Sequence, residues 1–86
     1  LQENVVKMQV VFQEKELPQL PADLEILHVS QVGRIHTLII RGNATDITNR
    51  LAVYAPILMD ALPLTLEEIF IYELGGEDYE VRDIVL

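Results

Sequence analysis

Two runs of branched aliphatic residues, 24–31 and 35–41, lie on either side of Val32-Gly33-Arg34 in this 86-residue chain. Their composition favours strands and the glycine favours a tight turn, so we predict a β-hairpin. With a two-residue loop at Gly33 and Arg34, one face of the hairpin carries Leu27, Val29, Leu38 and Ile40. The opposite face carries Ile26, His28, Ile35, Thr37 and Ile39. This second face is too apolar to be freely solvated, so we expect something to cover it. A different loop length would exchange the two sets.

Other segments extend this hairpin into a complete domain. Residues 5–13 and 57–62 have strand patterns, and Ile47, Leu51 and Tyr54 have helical spacing after a cap at Asn43 or Thr45. Two prolines interrupt the link at residues 14–24. We therefore predict an α+β fold, a ferredoxin-like two-layer sandwich with a mainly antiparallel sheet, the order β-link-β-β-α-β-α and an extra C-terminal helix. Residues 1–76 are predicted to form this single domain, and residues 77–86 a tail that is an edge strand or an interface segment.

Charge and composition exclude several classes of function. Fourteen acidic and six basic residues give a net charge of −8, which argues against nucleic-acid binding because phosphate contacts need positive charge. No apolar run approaches the roughly 18 to 20 residues that cross a bilayer, so we predict no direct membrane insertion. Half of the residues are hydrophobic, a surplus that indicates a surface in contact with another molecule.

The residue types that carry catalysis or bind metals do not form a recognisable set. The predicted register places His28 and His36 on opposite faces, and the chain has no cysteine, so we predict no metal site. Ser30 is the only serine and lacks the G-x-S-x-G pattern of a nucleophile elbow. No phosphate loop is present. We therefore predict neither catalytic nor cofactor-binding residues in this chain.

Residues 63–76, PLTLEEIFIYELGG, predict a helix with both ends specified. Pro63 stops the preceding strand, and Thr65 with Glu68 forms the sequence pattern of a capping box. The predicted apolar stripe that docks on the sheet consists of Leu66, Ile69, Phe70 and Leu74. Gly75 and Gly76 supply the left-handed residue that ends a helix.

The run from Pro63 to Phe70 resembles the closing signature of the C-terminal accessory domain found on many prokaryotic ABC-transporter ATP-binding subunits. In that family a proline, a Ser or Thr cap and then Leu-Glu-Glu/Asp-Ile/Val-Phe begin the final helix. The resemblance implies that an ATP-binding domain precedes Leu1 and that ATP and Mg²⁺ bind there rather than in this chain. It also implies a cytoplasmic position at the inner face of the cell membrane.

Three hypotheses follow. The first is a non-catalytic regulatory or interaction domain that contacts the upstream ATPase domain, the transporter membrane subunit or a second copy of itself. Its predicted interface residues are Ile26, Ile35, Ile39, Tyr72 and Tyr79. The second is a stand-alone small-molecule sensor of ferredoxin-like fold, with paired sheets binding an amino acid or similar metabolite. The third hypothesis is an enzyme. It ranks last because no nucleophile, base and oxyanion-stabilising group converge.

Overall fold

Four strands form one antiparallel sheet in the computed structural model, which describes residues 5–74. The strand order across the sheet is β2-β3-β1-β4. Because β3 is antiparallel to both β1 and β2, those two strands run parallel to each other on either side of it. The elements, in chain order, are β1 (Val5–Val11), β2 (Glu25–Val32), β3 (Ile35–Arg41), α1 (Ala44–Ala52), β4 (Leu58–Leu62), α2 (Leu66–Glu68) and a π-helical turn (Ile69–Glu73).

The β2–β3 hairpin has the predicted two-residue loop. Val32 pairs with Ile35, and Gly33 between them adopts a φ of 61°, a left-handed conformation that glycine reaches without strain. Farther along, the register shifts by a β-bulge between Ile26 and His28. The bulge moves Ile26 to the side of Ile40, because it inserts one extra residue into β2. The prediction that Ile26 shares a face with Ile39 is therefore wrong.

One face of the sheet, called the inner face here, packs on α1 and on the link between β1 and β2. Ile47 and Leu51 are the buried residues of α1, and Phe12 and Leu24 close the core from the two ends of the link. The described link contains no helix, which agrees with the prediction that its two prolines interrupt it. The core residues are Val6, Met8, Val10, Phe12, Leu24, Leu38, Ile40, Ile47 and Leu51.

Helix α1 begins at the predicted cap. The Asn43 side chain accepts a hydrogen bond from the Asp46 backbone N–H at 2.9 Å, which satisfies one of the helix's first free donors. The preceding Gly42 has a φ of 146°, and a β-carbon there would lie 3.3 Å from Cδ1 of Ile47. A glycine at position 42 therefore lets the chain turn from β3 into α1 directly above the core.

The last described segment differs from the predicted helix. Only Leu66–Glu68 is α-helical, and Ile69–Glu73 forms a π-helical turn. The predicted docking stripe does not form. Leu66, which precedes the wider turn, is 86% exposed, and Leu74, whose angular position the wider turn changes, is 64% exposed. Ile69 and Phe70 are half-buried. Gly75, Gly76 and the tail at 77–86 lie outside the described residues.

The structure therefore confirms an α+β domain with a four-stranded antiparallel sheet and few helices. Its arrangement is compatible with two layers.

Replacing Leu51 with Ala should lower the free energy of unfolding by about 2 to 5 kcal/mol, because Leu51 is fully buried and the change leaves a cavity. Val53→Ala is the matched control, since Val53 is 79% exposed and should change stability by less than about 0.5 kcal/mol. Urea unfolding followed by circular dichroism measures both. Equal losses in the two variants would contradict the described packing of α1.

Candidate interaction surface

The second face of the sheet, called the outer face here, has a cover of its own. It consists of strand residues that alternate with those of the core. The strand registers place on it Val5, Lys7, Gln9, Val11, His28, Ser30, Val32, Ile35, Thr37, Ile39, Leu58, Asp60 and Leu62. Part of this face is crossed by the helical segment 66–73, which comprises α2 and the π-helical turn.

Two contacts hold the helical segment on the outer face. The Lys7 Nζ donates to Glu68 Oε1 at 3.0 Å, and the rings of Tyr72 and His28 have centroids 6.4 Å apart. Lys7 and His28 both pair with Ile39, one from each side. The segment therefore runs from β1 to β2 across Ile39, which is only 2% exposed.

A complete capping box fixes the carboxylate that makes the first of these contacts. The Thr65 hydroxyl accepts from the Glu68 backbone N–H at 3.1 Å, and Glu68 Oε1 accepts from the Thr65 backbone N–H at 2.9 Å. The capping box predicted from the sequence is confirmed. The Thr65 N–H, and then Lys7, hold the pKa of the Glu68 carboxyl below its ordinary value, although partial burial opposes them. The carboxylate thus joins the start of the helix to the centre of the sheet.

Beyond the helical segment, an apolar row remains exposed at the hairpin end of the outer face. Val32 pairs with Ile35 and Val11 pairs with Leu58, while the β1–β3 register places Val11 beside Ile35. Val32 is 78% exposed, Leu58 is 41% exposed and Ile35 is 39% exposed. These four residues, named the apolar row here, cross all four strands.

A polar row separates the apolar row from the helical segment. It consists of Gln9, Ser30, Thr37 and Asp60, which face one another across the strands. Ser30 and Asp60 are exposed, and the other two are half-buried. The uncovered part of the outer face thus combines hydrogen-bonding groups with an apolar margin, a composition suited to contact with another molecule.

The five predicted interface residues are not grouped together. Ile35 belongs to the exposed apolar row, whereas Ile39 is buried by the chain's own helical segment. Tyr72 is half-buried against His28. Ile26 lies on the inner face and packs against the core. Tyr79 is outside the described residues.

Sequence reasoning missed the rest of the apolar row and the pairing of Lys7 with Glu68. Val32 carried a usable signal, because a two-residue loop after it places it opposite Ile35. No local sequence signal places Leu58 and Val11 in this row, because their neighbours in the sheet are set by pairing between strands that are far apart in the chain. Lys7 and Glu68 lie 61 positions apart, and no local pattern connects them.

The histidines lie on opposite faces, as the predicted hairpin register required. His28 contacts Tyr72 on the outer face, and His36 is buried with its Nε2 3.0 Å from the Lys15 carbonyl oxygen. Within residues 5–74 no three His, Asp or Glu side chains are grouped as metal ligands. In the same part of the chain, no helix is both long and apolar enough to span a membrane.

Comparisons of the chain with protein-family models, with curated proteins and with solved structures give no match.

Replacing Glu68 with Gln should lower the free energy of unfolding near neutral pH by about 0.5 to 1 kcal/mol, since the charged contact with Lys7 is lost. The pKa of Glu68 is lowered by folding, so this stabilisation is present above the unfolded pKa, roughly 4.3 for a glutamate. It disappears as the pH falls through the lower folded pKa. Urea midpoints between pH 2 and pH 7, a range chosen to bracket roughly that value, measure the difference.

The matched control for this experiment is Glu67→Gln, which removes the same charge from the same helical turn. Glu67 is exposed, so its replacement should have the smaller effect and a weaker dependence on pH. Identical pH profiles for the two variants would contradict the role assigned to the Lys7–Glu68 contact.

Proposed function

We propose that this chain is a non-catalytic regulatory or interaction domain of an ABC-transporter ATP-binding subunit. The apolar row is the observation that carries the proposal, because it leaves aliphatic side chains in water at one end of the outer face. A contact with the ATPase body or with a second copy of the domain would remove them from water. The resemblance of residues 63–70 to the signature of that accessory domain supports the same assignment.

The proposed fold is a ferredoxin-like sandwich in which the link replaces the first helix. Two features support this assignment. The order β2-β3-β1-β4 is the one that two interleaved β-x-β units produce, with β1 parallel to β2 and β3 parallel to β4. The crossover between β3 and β4 is helical, and that between β1 and β2 is the proline-containing link.

In this proposal the ATP-binding domain lies before Leu1, and it binds ATP and Mg²⁺ there. The accessory domain acts in the cytoplasm at the inner face of the membrane and changes how the ATPase or its membrane subunit associates. Its own contribution is a docking surface. The capping box and the Lys7–Glu68 contact position the helical segment so that the apolar row stays uncovered.

A second candidate function is a small-molecule sensor that binds an amino acid or similar metabolite between paired sheets. The polar row favours it, because its amide, hydroxyl and carboxylate groups lie next to apolar side chains. Such a site needs a second sheet opposite the first, so both candidates use the same surface.

For the interaction proposal, Ile35→Lys and Leu58→Lys should each abolish association of the chain with itself or with the ATPase domain of its parent, because each places a charge in the apolar row. The control is Val53→Lys, which adds the same charge at an exposed aliphatic residue of the inner side. Sedimentation velocity measures association. A wild-type chain that associates with neither partner, or a loss of association in the control alone, would contradict the proposal.

The two candidates differ in their response to free amino acids. A sensor gains thermal stability from its ligand, by about 2.7 kcal/mol at 100 times Kd. The interaction proposal expects no shift in melting temperature across a panel of the twenty amino acids. Differential scanning fluorimetry measures this, and a rise with one amino acid that Ile35→Lys removes would favour the sensor.

A further inference from the structure

A cleft of about 310 Å³ lies on the inner side of the domain, where the link passes the end of α1. Phe12, Leu17, Pro18 and Tyr54 form its apolar walls, and Glu14 and Glu16 also line it. Phe12 belongs to the inner core, and Leu17 and Tyr54 pack against that core. The cleft is therefore on the opposite side of the sheet from the apolar row.

Side chains of the hairpin hold the wall of the cleft in place. Arg34 Nη2 donates to the Phe12 carbonyl at 3.0 Å, and it also contacts the Gln13 carbonyl. The buried His36 has its Nε2 3.0 Å from the Lys15 carbonyl, to which Gln31 Nε2 also donates. These contacts fix the backbone of the link without any helix. A ligand would meet a formed site rather than having to order a loop.

The ionised side chains that line the cleft are both acidic, and the nearby Arg34 guanidinium is bound to the Phe12 and Gln13 carbonyls. Glu14 and Glu16 are both exposed, and within residues 5–74 no ion pair engages either carboxylate. Their charges add to the net −8 of the whole chain. A cation near them is attracted, and an anion or the carboxylate of a zwitterion is repelled. The aromatic faces of Phe12 and Tyr54 also favour a flat apolar group or a cation.

We propose that this cleft binds a small organic amine that carries one compact aromatic ring system, of one ring or two fused rings. The ring system occupies the space between Phe12, Leu17 and Tyr54, and the ammonium group lies toward Glu14 and Glu16. The size supports one such ring system, because 310 Å³ is at the lower end of ligand pockets, which span roughly 300 to 1,000 Å³. This site is separate from the apolar row and does not depend on the proposed function.

Three indole compounds test the proposal on the 86-residue chain. Tryptamine is a cation, tryptophan a zwitterion and indole-3-propionate an anion, and all three share the same two-ring indole system. Because the chain contains no tryptophan, indole fluorescence reports only the ligand. We expect tryptamine to bind with a Kd of about 1 mM or lower, and the anion at least about tenfold more weakly. NMR shift changes should centre on Phe12, Leu17 and Tyr54.

Equal binding of the cation and the anion would overturn the proposal, because binding would then be indifferent to charge. So would shift changes that centre on the outer face, or the absence of tryptamine binding. Raising the salt concentration should weaken tryptamine binding, since the carboxylates are exposed and screened by ions.

Variants separate the local carboxylates from the net charge of the chain. Glu14→Gln with Glu16→Gln should weaken tryptamine binding about tenfold at low salt. Glu67→Gln with Glu73→Gln is the matched control, because these two exposed residues lie on the helical segment of the other side. Circular dichroism confirms that both pairs fold. Equal weakening of tryptamine binding in the two double variants would show an effect of net charge alone and would overturn the proposed role of Glu14 and Glu16.

A charge reversal gives a positive test. Glu14→Lys with Glu16→Lys should make the cleft prefer indole-3-propionate to tryptamine, because the walls stay apolar while the rim changes sign. Failure to invert the preference in a folded variant would contradict the assigned position of the ammonium group.

Discussion

The attachment of the helical segment 66–73 to the outer face decides which parts of this domain remain in contact with water. A sheet with aliphatic side chains on both faces needs two covers. On the inner face, α1 and the link supply one. On the outer face, the cover is one helical segment fixed at Lys7 and at His28, on either side of Ile39. Because this segment spans a single row of the sheet, Ile39 is buried and the apolar row is not.

Both proposed sites follow from this division of the sheet. The apolar row exists because the outer cover is narrow, and the cleft exists because the inner cover includes an irregular link instead of a helix. The link keeps its shape through hydrogen bonds from Arg34 and His36 to its carbonyl groups. A docking surface and a ligand cleft can therefore occupy opposite sides of one small domain, with the sheet between them.

The parts of the fold that depend on neighbouring residues were predictable from the sequence. The turn at Gly33, the Asn43 cap and the capping box of Thr65 and Glu68 each involve residues no more than three positions apart. Local chemistry is sufficient for such features. The strands and their order along the chain followed from alternation and composition.

Features that depend on distant partners or on local irregularity were not predictable. The bulge moved Ile26 to the inner face, although the hairpin loop itself was correct. The π-helical turn changed the position of Leu74, which is exposed, although the helix start was correct. Whether Ile35 or Ile39 is accessible depended on where the helical segment crosses the sheet. That crossing is set by the Lys7–Glu68 contact, which no periodicity in the sequence encodes.

The bulge in β2 also limits how the edge of the sheet can be extended. Among the described strands, β2 has β3 as its single neighbour, so its other side offers backbone donors and acceptors to any added strand. The bulge between Ile26 and His28 interrupts the regular ladder at the start of β2, and bulges bend a strand and increase its twist. The stretch from His28 to Val32 keeps a regular register with β3, so an added strand would find an uninterrupted edge of only five residues there.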